Sequence, residues 1–143
     1  MRHIDSDHIQ IVDGVNNYKE AINLASKPLL KREYIASTYV EAMIQAIEKY
    51  GPYIVLQDEF AMPHASPAEG VHKTGLALLI VRNGVDLLGH NVKVFLVLAP
   101  ETKDALNAIL TEFAEFLMNK QNVKNLYNAK DVESIQNLLE ESW

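Results

Sequence analysis

Residues 60–75 read FAMPHASPAEGVHKTG, with one histidine, His64, placed directly after Pro63 and before the small residues Ala65 and Ser66, and a second, His72, further on. Proline fixes its own φ and has no N–H to give a sheet, so a strand stops there and the imidazole is held by a rigid turn. Its small neighbours leave the ring uncrowded, and a bulky partner could reach it. Neutral imidazole supplies a nucleophilic nitrogen or a base near neutral pH. Ser66, the backbone N–H groups that follow, and a helix start at Pro67 could receive an anion. His72 and Lys73 lie in the same segment, as a second imidazole and a cation that could meet phosphate. Asp58, Glu59 and Glu69 flank His64, and one of them could orient the ring by accepting its second N–H. At this point the bland readings stay open: a surface histidine without a role, and solvated side chains around it.

Other chemistries find no support. The chain has 143 residues and no cysteine, which excludes a disulfide framework, a thiolate zinc site and a cysteine nucleophile. The five histidines are scattered, with no H-x-x-x-H or H-E-x-x-H pair, so no metal site is expected. There is no G-x-S-x-G elbow, no P-loop and no G-x-G-x-x-G. His90 precedes a strand in a turn-rich stretch, and His3 and His8 sit near the N-terminus, where disorder is the default. A formal net charge of -6 and a pI near 5.3 give no footprint for nucleic acid or an anionic lipid surface. The first residues, MRHIDSDHIQIVDG, contain no apolar stretch of the signal-peptide kind. The longest apolar run, GLALLIV, is far shorter than the roughly 20 residues that span a bilayer. These features describe a cytoplasmic, acidic protein without membrane insertion.

The elements that must position His64 can be read from periodicity. Residues 8–12 alternate as a short strand. Residues 16–28 are a helix with Asn16 or Asn17 as its N-cap. Residues 32–49 are a second, with Ile35, Tyr39, Val40, Met43, Ile44 and Ile47 on one face, ended by Gly51-Pro52. Strands follow at 53–56 and 60–62, interrupted by QDE. Residues 75–81 and 93–99 are continuously apolar, as expected of central strands covered on both faces. Helices at 103–119, 121–128 and 131–140 close the chain, the last capped by Asp131. The order predicts one α/β domain over 1–143, a single layered unit with a mixed β-sheet flanked by α-helices. His64 then sits at a strand end, where sites gather in such sheets.

The run YGPYIVLQDEFAMPHASPAEGVHKTG (50–75) resembles the active-site region of IIA components of the bacterial sugar phosphotransferase system, mannitol/fructose class. It is most similar to the branch serving ascorbate, with its GPY-V…AMPH-x-P-EGV-KTG pattern. The resemblance extends to YVEAMIQAIEKYG before the motif, VKVFLVLAP after it, and the closing NVKNLYNAKDVESIQNLL. It implies the mannitol/fructose-class IIA fold. It also implies that His64 accepts a phosphoryl group, with the tele nitrogen as the candidate position. The implied donor is the histidine phosphocarrier protein. The implied recipient is a cysteine of a IIB component, which works with a membrane IIC transporter for a sugar or an ascorbate-like sugar acid. Ser66, His72 and Lys73 are the candidates to stabilise the phosphate. No cofactor is implied, and a homodimer is left open.

The sequence departs from that family at several positions. Ala46 stands where mannitol-type members carry an arginine, and Ala105 where a second histidine usually opens the long helix after the last strand. PHASP replaces PH-[AG]-R-P, so Ser66 stands in place of an arginine, and QDE (57–59) replaces APG. These changes motivate an alternative, a regulatory or interaction module with weakened transfer. A small hydrolase using His64 as base rests only on the neighbouring carboxylates.

Overall fold

The two continuously apolar runs continue beyond their apolar residues. In the computed structural model, which describes residues 4–142, they form the long strands β4 (Gly75–Leu87) and β5 (His90–Ala99) of an antiparallel hairpin. Leu88 (φ 49) and Gly89 (φ 96) turn the chain between them, and both left-handed residues suit the twist of a two-residue hairpin loop. The hairpin register shifts between Ile80 and Val85, where Gly84 adopts φ 75 and a Cβ would run into the side chain of Asn91. This is a bulge that only glycine fits.

Three shorter strands complete the sheet: β1 (Ile9–Val12), β2 (Val55–Gln57) and β3 (Glu59–Ala61). The order is β1-β4-β5-β3-β2. β1 runs parallel to β4 and β3 parallel to β5, while β2 and β3 are antiparallel. The sheet is therefore mixed, as expected. The interruption at 57–59 is a tight turn in which Glu59 takes φ 67.

Burial explains why the central runs lack alternation. Leu76, Leu78, Ile80, Val94, Leu96 and Leu98 pack on one face with α3 (Lys103–Met118), α4 (Gln121–Asn128) and α5 (Val132–Ser142). Ala77, Leu79, Val81, Phe95, Val97 and Ala99 pack on the other with α1 (Tyr18–Lys31) and α2 (Ser37–Tyr50). Both faces are dry, so both sets of alternating positions must be apolar. Three layers result, helix on sheet on helix.

Two helix boundaries differ from the sequence expectation. α1 passes through Pro28 and reaches Lys31. Proline removes one N–H and frees the Leu24 carbonyl, which accepts Gln10 Nε2 at 2.8 Å instead. α2 begins at Ser37 rather than residue 32, because 32–36 form a link with Glu33 at φ 60. That link is pinned from outside: the Tyr34 carbonyl accepts the N–H groups of His72 and Lys73, and Ile35 bridges to Val71.

The N-terminal segment is also ordered where disorder was expected. His8 is buried, its Nδ1 donating to the Leu76 carbonyl at 2.9 Å and its Nε2 accepting from Arg32 at 3.2 Å. Arg32 in turn holds Asp5 and Asp7 at 2.9 Å each. Pairing of β1 with β4 brings these groups together. His3 lies outside the described residues. The N-caps of the first and last helices follow the sequence: Asn17 Oδ1 accepts Glu20 N–H, and Asp131 Oδ1 accepts Ser134 N–H.

Candidate active site around His64

Because β3 and β5 are parallel, the chain leaving β3 and the chain entering α3 emerge at the same end of the sheet. Sheet-like contacts continue two residues past β3. Met62 N–H donates to the Ile54 carbonyl at 2.9 Å, and Leu98 N–H donates to the Pro63 carbonyl at 3.0 Å. Pro63 has no N–H to continue the ladder, so the backbone turns away and His64 follows at the rim.

The ring is then fixed from three directions. His64 Nδ1 lies 2.7 Å from the Met62 carbonyl oxygen. A carbonyl can only accept, so Nδ1 carries the proton and the neutral ring keeps its lone pair on Nε2. Nε2 has no hydrogen-bond partner among the described residues. Partial burial pushes the imidazole below the usual histidine range, with the Met62 hydrogen bond opposing it, so the neutral form is favoured. Tyr53 supplies the second restraint: its hydroxyl donates to the His64 carbonyl at 2.8 Å, and its ring meets the imidazole edge-on, centroids 5.5 Å apart. The third comes from α2. Buried Tyr39 donates to the Leu98 carbonyl at 2.7 Å and accepts Ala65 N–H at 3.0 Å. Burial raises the Tyr39 phenol, which therefore stays protonated as a donor.

His64 opens into a groove of about 730 Å³ between α2 and α3. Its walls are largely apolar: Ala42, Ala46 and Tyr50 on one side, Leu106 on the other. Ser66 and Glu69 line it from the loop, and Lys49 and Lys103 from the two helices.

The structure therefore gathers some of the sequence candidates and separates others. His64 and Ser66 share the groove. His72 lines an adjoining groove, which Ser66 and Lys103 also border. Lys73 lies over the Tyr34 ring, 4.9 Å from its centroid, and lines neither groove. The helix start at Pro67 is a single 3-10 turn, Pro67–Glu69. Among the described residues no carboxylate orients the imidazole; the Met62 carbonyl does. Glu59 instead pairs with Lys93 at 3.3 Å, and Asp58 borders a different depression beside α4. His90 opens β5 and is exposed. Ala105 lies in the first turn of α3, its N–H capped by Thr102 Oγ1 at 3.0 Å.

Tyr53, Tyr39, Lys49 and Lys103 were not legible as site residues. Tyr53 read as a strand residue and Tyr39 as one apolar position of a helix face, while Lys49 and Lys103 fell inside the helices at 32–49 and 103–119 without being singled out. Among the described residues no cluster of three or more His, Cys, Asp or Glu could hold a metal ion, and no helix is long and apolar enough to cross a membrane.

Comparison with known proteins gives a consistent result. The family model for "Phosphoenolpyruvate-dependent sugar phosphotransferase system, EIIA 2" matches residues 2–142. The chain is 27% identical over 133 residues to the mannitol-specific cryptic phosphotransferase enzyme IIA component of Escherichia coli K12, covering 92% of this chain and 90% of that one. A solution structure of that type of protein from Escherichia coli, CmtB, superposes with a TM-score of 0.89 at 25% identity, covering 97% and 96% of the two chains. The ascorbate-specific EIIA component of Salmonella choleraesuis is 29% identical over 82 residues, 57% of this chain and 53% of that protein. Enzyme IIAMTL of Escherichia coli, solved in complex with phosphorylated enzyme IIBMTL, shares the fold at a TM-score of 0.83 and 20% identity, covering 96% and 97%.

Proposed function

This chain belongs to the phosphoenolpyruvate-dependent sugar phosphotransferase system EIIA 2 family, and on that premise we propose that it is a phosphocarrier whose acceptor atom is Nε2 of His64. One observation carries the reading: Nδ1 is committed to the Met62 carbonyl while Nε2 faces an open groove with its lone pair free.

The transfer needs no proton movement. The Nε2 lone pair attacks the phosphorus of a phosphohistidine on the histidine phosphocarrier protein. An N–P bond forms on His64 as the donor's N–P bond breaks, and that electron pair returns to the donor imidazole. The proton stays on Nδ1, so the phosphorylated ring is cationic and is steadied by the Met62 carbonyl. In the second half a cysteine thiolate of a IIB component attacks phosphorus. The departing pair restores neutral His64. The site contributes position and fixed donors to a group that carries its charge on three peripheral oxygens. Ser66, on the same groove, can donate its hydroxyl to one of them. His72 and Lys73 lie outside that groove and have no direct contact in this reading.

The open, apolar rim suits partners that dock in turn. A fold neighbour has been solved with a phosphorylated enzyme IIB, which supports a IIB component as the recipient here. A IIC transporter would then carry the cargo, a sugar or an ascorbate-like sugar acid, and this chain would work in the cytoplasm without touching it. Relatives specific for mannitol and for ascorbate both match.

The test is intact-mass spectrometry after incubation with phosphoenolpyruvate, Enzyme I and the histidine phosphocarrier protein. One acid-labile phosphoryl group is expected on the wild-type chain and none on His64→Ala. No gain on the wild type would overturn the phosphocarrier reading and favour a regulatory module.

A further inference from the structure

We propose that Lys49 and Lys103 form a two-sided cationic clamp that holds the phosphoryl group on His64. This rests on His64 as the acceptor. A phosphoryl group on Nε2 would bring up to two negative charges into a groove walled by Ala42, Ala46, Tyr50 and Leu106. Such walls offer it nothing, and uncompensated charge beside apolar surface is unfavourable. The charged side chains that line the groove are Lys49, Lys103 and Glu69. The two lysines come from opposite walls, Lys49 from the last turn of α2 and Lys103 from the first position of α3.

Neither lysine is engaged by an acid among the described residues. Lys49 Nζ rests 5.1 Å from the Tyr50 ring centroid, and neither ammonium has an ion-pair partner among the described residues. Lys103 also breaks a local rule. The first turn of a helix is its positive end and disfavours a cation, and α3 is a full-length helix of 16 residues. Lys103 lines the same groove as His64, and an anion arriving in that groove accounts for a lysine at this position. Glu69 on the loop side opposes that anion and keeps the clamp from being purely attractive, so the group can also leave.

The experiment uses the full chain and phosphoramidate, a small donor that phosphorylates imidazole without a protein partner. Wild type, Lys49→Gln, Lys103→Gln, the double variant and Lys103→Arg are compared, with His64→Ala as control. Intact mass reads uptake. The 31P resonance of the phosphohistidine, followed against pH, reads the second ionisation of the phosphoryl group. Two nearby cations favour the dianion, so the double variant should titrate higher, by about half a unit or more, and Lys103→Arg should match wild type. Transfer from the phosphocarrier protein to the double variant should slow about tenfold. A double variant that takes up the phosphoryl group with an unmoved titration overturns the clamp and leaves the acceptor standing. Failure of the wild type to take it up on His64 overturns both. The Lys49 and Lys103 side chains are exposed, and an unchanged far-UV spectrum confirms that each variant is folded.

Discussion

The Met62 carbonyl oxygen and His64 Nδ1 are 2.7 Å apart and two residues apart in the chain. The bond that selects the tautomer of the acceptor is thus local. It joins the His64 ring to the backbone just before Pro63 and depends on no distant carboxylate.

The pH dependence of acceptance follows from that geometry and from burial. His64 titrates below 6.5 in the folded chain, so its neutral form persists into mildly acid solution. The rate of phosphoryl uptake should hold steady as pH falls through 6.5 and drop only below the folded value, where Nε2 gains a proton. The sign for stability is the same. Between the folded value and 6.5 the unfolded chain binds more protons, so the contribution of His64 to stability shrinks as pH falls across that window. NMR titration of the His64 ring protons beside a pH–rate profile checks both. A midpoint at or above 6.5 would contradict the argument.

Tyr53→Phe keeps the ring against the imidazole and removes the hydroxyl that donates to the His64 carbonyl. The bond is exposed, so the stability loss should be small, about 0.5 kcal/mol by denaturant titration. Phosphoryl uptake should slow several-fold. Tyr53→Ala, which also removes the ring contact, should slow it further.

Tyr39→Phe acts on a buried group. It leaves the Leu98 carbonyl and Ala65 N–H without their partner. The expected loss is about 1–3 kcal/mol in chemical denaturation, because both groups stay away from water. A loss below that of Tyr53→Phe would show that water reaches them.

Gly84→Ala separates stability from chemistry. Its φ of 75 and the Asn91 side chain beside it make any Cβ costly, by about 1–3 kcal/mol. The bulge lies in the β4–β5 hairpin, away from the groove residues. Phosphoryl uptake per folded molecule should be unchanged, measured well below the melting temperature.

Much of this fold was legible because its signals are periodic. Five apolar positions in α2 and the unbroken runs in β4 and β5 announced a helix on a doubly covered sheet. The misread boundaries were set by partners far away in sequence. Arg32–Ala36 resist helix formation because residues 70–73 hold them, and His8 is ordered because Leu76 and Arg32 surround it. The site divides the same way. His64 carries a local signature in Pro63 and its small neighbours. Tyr39, Lys49 and Lys103 carry none, since only the folding of two helices against one sheet end brings Tyr39 to the loop after His64 and the lysines to its groove. The turn-rich stretch before His90 is the hairpin turn, and its two-residue form was hidden because Leu88 is an unusual residue for a left-handed position.

The Tyr39 hydroxyl joins three parts of the molecule at once: a helix, the end of a central strand, and the loop just after the acceptor. Amide protons of surface loops usually exchange with solvent through small, local openings. The Ala65 amide cannot do so without parting Tyr39 from a core in which it is wholly buried. Its deuterium uptake should be as slow as that of the strand amides around Leu98. The acceptor loop thus belongs to the same cooperative unit as the core, and it melts with the protein rather than ahead of it.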